Sequence, residues 1–150
     1  MLQRIQSVYI FIALILMALS SYLPLVELLT EDGQNYIAYA SGIRLGSETI
    51  LSTLPLVILT ISSTAINAIA LFSFKKRMLQ IRFLIFSIIL QLGTYGLAAY
   101  YFLQLNEGFS HLTNPSLPIT FPLISVILCF LAIRAIGKDE ALVRSLDRIR

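Results

Sequence analysis

Residues 50–74 read ILSTLPLVILTISSTAINAIALFSF, and no position among them carries a charge. A helix rises about 1.5 Å per residue. The hydrocarbon core of a bilayer is about 30 Å thick, so about 20 mainly apolar residues cross it. The stretch satisfies that length with residues to spare. Three others do as well, at residues 7–25, 83–104 and 117–136. Their interiors are free of Asp, Glu, Lys and Arg, with Arg134 close to the end of the last, as the cost of a charge at mid-membrane requires.

Composition says the same thing independently. Only 13% of the 150 residues are charged and 57% are hydrophobic, with a mean hydropathy of +0.84. A soluble domain carries roughly a quarter charged residues to coat its surface. That coat is missing here, so most of the surface must face lipid. The expectation is an all-α integral membrane protein: one four-helix transmembrane domain over residues 1–150, with a tail at residues 137–150. The first apolar run outlasts the core of a signal peptide and Pro24 interrupts its cleavage region, so it reads as a retained span.

Charge then orients the chain. If both termini share one side, that side holds Arg4, Lys75, Lys76, Arg77, Arg82, Arg134, Lys138, Arg144, Arg148 and Arg150, and the other holds Arg44 alone. Basic residues accumulate on cytoplasmic loops. The expectation is a multi-pass protein of a bacterial inner membrane with both termini cytoplasmic. The net charge of +3 is a topology signal and does not point to nucleic acid, because no basic stripe is interleaved with stacking aromatics.

The connections differ in character. Between the first two spans, Asp32-Gly33 is a two-residue hairpin signal, and the alternation in NYIAYA suits a strand. A short hairpin-like flap is expected there, with Tyr36 and Tyr39 as interfacial aromatics. The second outer connection, LNEGFSHLTNPSLPITFP, reads as a short loop rich in breakers, in which Pro115, Pro118 and Pro122 favour extended or first-turn geometry and set the entry of the fourth span. The link FSFKKRMLQIRF carries four cations and no anion. In the tail, Gly137 is expected to break or bend the fourth span. Asp139 and Glu140 then start a separate amphipathic helix with Leu142, Val143, Leu146 and Ile149 on one stripe. Lys75, Lys76, Arg77, Arg82, Leu142, Arg144, Leu146, Arg148 and Ile149 are the expected contacts for anionic lipid or a partner.

Inside the spans, neutral polar side chains carry the information. Ser63, Thr64, Asn67, Gln91 and Thr94 are expected to make interhelical polar contacts. Gly93, Gly96 and the Thr64/Ala68 and Thr94/Ala98 spacings are expected to allow close approach of the second and third helices. Cys129 has no cysteine partner and His111 no second histidine. With scattered acids and no phosphate-cradling loop, no catalytic residue, metal or cofactor is expected.

Three stretches, MLQRIQSVY, FKKRMLQIR and RAIGKDEALVRSLDRIR, together resemble a family of small four-span membrane proteins found mainly in Bacteroidota and catalogued as a domain of unknown function. The resemblance covers essentially the whole chain. It implies an inner-membrane protein with four helices, and it brings no catalytic residue, substrate or cofactor. The functional expectation is a non-enzymatic accessory or scaffold subunit whose partners are membrane lipids and other membrane-protein subunits. The alternative is a small-molecule or lipid binder or transporter using Asn67, Gln91, Thr94 and Tyr95.

Overall fold

The computed structural model describes residues 2–29, 35–46, 48–74, 76–105 and 111–147. The apolar stretches become four helices: α1 (Leu2–Tyr22), α2 (Leu54–Phe72), α3 (Arg77–Leu105) and α4 (Phe121–Asp147). Each contains a window long and apolar enough to cross a membrane. They close a ring in which α1 packs on α2 and α4, and α3 packs on the same two helices.

The burial pattern explains the ring. Buried positions fall at 6, 10, 13, 17 and 20 on α1 and at 56, 60, 63, 67 and 70 on α2. On α3 they fall at 80, 84, 87, 91 and 94, and on α4 at 122, 125, 129, 132 and 136. Alternating steps of three and four give a 3.5-residue period, the spacing that lets four helices supercoil around a common seam. The contents of the seam are inverted relative to a soluble bundle. Half of its twenty positions are polar, among them Gln6, Ser63, Asn67, Gln80, Ser87, Gln91 and Ser125, while Phe11, Ile58, Phe86, Ile89 and Phe130 are more than half exposed. No more than 28% of any span window is buried. Large apolar side chains outside and small polar ones inside are stable only where the surroundings are apolar.

One end of the bundle carries a five-stranded antiparallel sheet. Its strands are β1 (Val26–Leu29), β2 (Asn35–Tyr39), β3 (Gly42–Leu45), β4 (Glu48–Ser52) and β5 (His111–Pro115), in the order β4-β3-β2-β1-β5. Val26, Ala38 and Ile43 form its buried face, packed against Leu25, Tyr36 and Ile119. Gly42 sits at φ +150° where β2 turns into β3, and a Cβ there would overlap the backbone carbonyl oxygen of Leu51 on β4. Thr53 fastens the sheet to the bundle: its Oγ1 donates to the Ala40 carbonyl at 2.8 Å just ahead of α2, whose first turn contains Pro55.

Several expectations are corrected. The flap is not a lone hairpin: the first connection supplies four strands, and the second, read as a short breaker-rich loop, supplies β5 on the other edge of β1. Pro115 ends that edge strand, where a missing N–H is tolerated. The Asp32-Gly33 turn lies outside the described residues. Ile50 and Leu51 belong to β4 rather than to the second span. Arg77 to Arg82 are the first turns of α3 rather than a link. The fourth helix does not break at Gly137: α4 continues through it to Asp147. A glycine costs a helix about 1 kcal/mol, too little to stop one held beyond that point by tertiary contacts. Gln6 Nε2 on α1 donates to Asp139 Oδ2 at 2.5 Å, and Arg77 on α3 pairs with Glu140 at 4.0 Å.

Candidate functional site

The middle of the seam holds a hydrogen-bonded polar layer. Ser63 and Asn67 lie one turn apart on α2, as do Ser87 and Gln91 on α3, so the two pairs face each other across the interface. Ser87 is the hub. Its Oγ donates to Asn67 Oδ1 at 2.7 Å, accepts from Gln91 Nε2 at 2.8 Å, and lies 3.4 Å from Ser63 Oγ. From α4, the Cys129 thiol points at the same Asn67 Oδ1 at 3.6 Å. Ser63, Asn67, Ser87, Gln91 and Cys129 are fully buried. Among the described residues, the layer leaves Asn67 Nδ2 and Gln91 Oε1 without a hydrogen-bond partner. One is a donor and the other an acceptor.

Towards the sheet-free end, Ile10, Leu84, Ala132 and Ile136 seal the layer with apolar contacts. Towards the sheet, a mainly apolar cavity of about 30 Å³ lies among Ser20, Leu56, Thr60, Thr94, Tyr95, Ala98 and Pro122, above the roughly 10–15 Å³ that one water requires. Tyr95 serves the entry of α4: its hydroxyl donates to the Ile119 carbonyl at 2.6 Å and accepts the Leu123 N–H at 3.0 Å. That N–H belongs to the first turn of α4, where no intrahelical acceptor exists.

The five residues expected to make interhelical polar contacts separate into two groups. Ser63 and Asn67 reach across to Ser87 on α3, while Gln91 joins the layer through Ser87 on its own helix. Thr64 Oγ1 instead donates to the Thr60 carbonyl at 2.8 Å, and Thr94 Oγ1 to the Gln91 carbonyl at 2.6 Å, each on its own helix. Ser87 and Cys129 were missed. The signal that finds them is the seam period: Ser87 follows Leu84 by three residues and precedes Gln91 by four. Nor do Gly93 and Gly96 mark a close approach of helix backbones. A Cβ at Gly96 would meet nothing within 4 Å, and at Gly93 only the Leu59 side chain at 3.7 Å.

A second candidate lies at the end of the bundle opposite the sheet. Lys76, Arg77 and Arg82 surround Met78, Leu79 and Val143 in an open groove of about 490 Å³ between α3 and α4, with Glu140 on its wall. The Arg77–Glu140 pair is partly exposed, each side chain at 25%. Leu142 lines a different groove, between α4 and α1. Arg144 and Leu146 fall on the last turns of α4, while Lys75, Arg148 and Ile149 lie outside the described residues. Among the described residues, no three of His, Cys, Asp and Glu gather into a metal-binding group.

A comparison with curated proteins finds no match. A family described as a domain of unknown function, DUF4293, matches residues 2–149. With all but its first and last residue inside that match, the chain belongs to the DUF4293 family.

Proposed function

We propose that the protein is a non-enzymatic accessory or scaffold subunit of a larger complex in a bacterial inner membrane, with both termini cytoplasmic. It docks its partner through the basic end of the bundle. The observation that carries this reading is the α3–α4 groove, where Lys76, Arg77 and Arg82 rim an apolar floor of Met78, Leu79 and Val143. An apolar centre with a charged rim is the anatomy of a protein interface, and cations at the rim select an acidic partner surface. Met78 and Val143 are each more than 40% exposed, so the floor is open to an approaching segment.

The experiment is site-specific photocrosslinking in cells, with a photoreactive residue in place of Met78 or Val143. A discrete protein adduct that disappears with Arg77→Glu and Arg82→Glu supports docking. Adducts formed with lipid alone contradict it.

The second reading, a small-solute or lipid binder between α2 and α3, has one specific observation in its favour. Asn67 Nδ2 and Gln91 Oε1 offer a donor and an acceptor within one buried layer. The nearby cavity of about 30 Å³ is far below the roughly 300 Å³ at which ligand pockets begin, so docking is the stronger reading.

A further inference from the structure

The second groove at the basic end, between α1 and α4, has a different character. It spans about 510 Å³ and is walled by Ile5, Tyr9, Leu131 and Leu142, with Arg134 and Lys138 beside them. That volume lies within the roughly 300–1,000 Å³ range of ligand sites. Tyr9 packs against the bundle core and forms the back of the groove. Ile5, Leu131 and Leu142 are 47%, 37% and 58% exposed.

The charge in this groove is poised for an anion. Arg134 and Lys138 are one turn apart on α4 and both exposed, so their side chains point to the same side of the helix. Among the described residues, neither has a carboxylate partner. The acid that shares the groove, Asp139, accepts a hydrogen bond from Gln6. In the α3–α4 groove, by contrast, Arg77 is paired with Glu140.

Depth fixes what the anion is attached to. Leu131 precedes Arg134 by about one turn towards the middle of the bundle, and Lys138 follows by about one turn towards its end, at about 1.5 Å per residue. Along α4 the groove thus passes from Leu131 through Arg134 and Lys138 to Leu142, and in the orientation proposed above the two cations fall near the headgroup level. A phosphate at the cations would leave an acyl chain lying along Leu131 and Tyr9.

We propose that the α1–α4 groove is a binding site for one anionic glycerophospholipid, its phosphate held by Arg134 and Lys138 and one acyl chain laid along Leu131 and Tyr9. This site is separate from the α3–α4 docking surface and stands whether or not a protein partner exists.

The test is native mass spectrometry of the full chain, purified in a mild detergent, delipidated and titrated with phosphatidylglycerol or phosphatidylcholine of matched chains. The expected result is a one-to-one adduct with phosphatidylglycerol, weakened about tenfold or more by Arg134→Gln with Lys138→Gln. Lys76→Gln with Arg82→Gln, which removes equal charge from the other groove, should change it less than about twofold. Leu131→Trp fills the apolar wall without altering charge and should also abolish the adduct, and soluble glycerol phosphate should not compete. Equal binding of both lipids, equal loss from either charge pair, undiminished binding by Leu131→Trp, or competition by glycerol phosphate would each overturn the proposal.

Discussion

Ser87 Oγ on α3 donates to Asn67 Oδ1 on α2 at 2.7 Å, and both side chains are fully buried. The same hydroxyl accepts from Gln91, so removing it strands the Gln91 donor and leaves Asn67 Oδ1 with only the Cys129 thiol at 3.6 Å. Ser87→Ala should destabilise the bundle by about 2–3 kcal/mol, more than a single interhelical hydrogen bond in a membrane. Thr64→Ala, which removes a hydroxyl bonded to its own helix, should stay within about 0.5 kcal/mol. Equilibrium unfolding in mixed micelles measures both. Equal effects of the two substitutions would contradict Ser87 as the hub.

The continuity of α4 gives a test of opposite sign. A Cβ at Gly137 would meet nothing within 4 Å, and the residue is inside a helix. Gly137→Ala should therefore stabilise the protein, by up to about 1 kcal/mol. If the chain instead turned at Gly137, the same substitution would destabilise it. Thermal unfolding in detergent distinguishes the two signs.

Gly42 should behave in the reverse way. Its φ of +150° and the overlap of any Cβ with the Leu51 carbonyl make Gly42→Ala costly, by about 1–3 kcal/mol from backbone strain alone. The loss should be local. Amide hydrogen exchange should quicken along β3 and β4 while the seam residues of α2 and α3 keep their protection.

The Arg77–Glu140 pair is partly exposed and 4.0 Å long. Pairs of this kind contribute less than about 1 kcal/mol. Glu140→Gln should shift thermal unfolding only slightly, and high salt should narrow the difference from the parent chain further.

Much of this architecture was legible in the sequence for a single physical reason. Lipid offers the backbone no hydrogen bonds, so an apolar uncharged run of sufficient length must be a helix. Residues 54–72 and 83–104 stand out on that ground alone. The run beginning at Ile50 was over-extended because Ile50, Leu51 and Ser52 suit β4 as well as a span. Pairing partners decide between those two, and they lie far along the chain. His111–Pro115 was unreadable as a strand for the same reason: β5 exists because β1 offers it an edge. At Gly137, local propensity pointed to a break, and contacts with Gln6 and Arg77 outweighed it.

Within the polar layer, residue type was informative and register was decisive. Asn67 and Gln91 announce themselves as amides in apolar runs. Ser87 does not, because serine is common in such segments and only its phase relative to Leu84 and Gln91 places it on the seam. Thr64 and Thr94 show the converse: a polar residue in a span is no guarantee of an interhelical contact, because its hydroxyl can return to the carbonyl three or four residues earlier.

The docking proposal stands on the basic end of the bundle facing the cytoplasm, and this is open to direct measurement. In a Cys129→Ser background, single cysteines at Arg44, Lys76 and Lys138 can be probed with a membrane-impermeant maleimide on intact spheroplasts. The account predicts that Arg44→Cys, on β3, labels without lysis, and that Lys76→Cys and Lys138→Cys label only after the membrane is opened. Labelling of Lys76→Cys or Lys138→Cys on intact spheroplasts would contradict it.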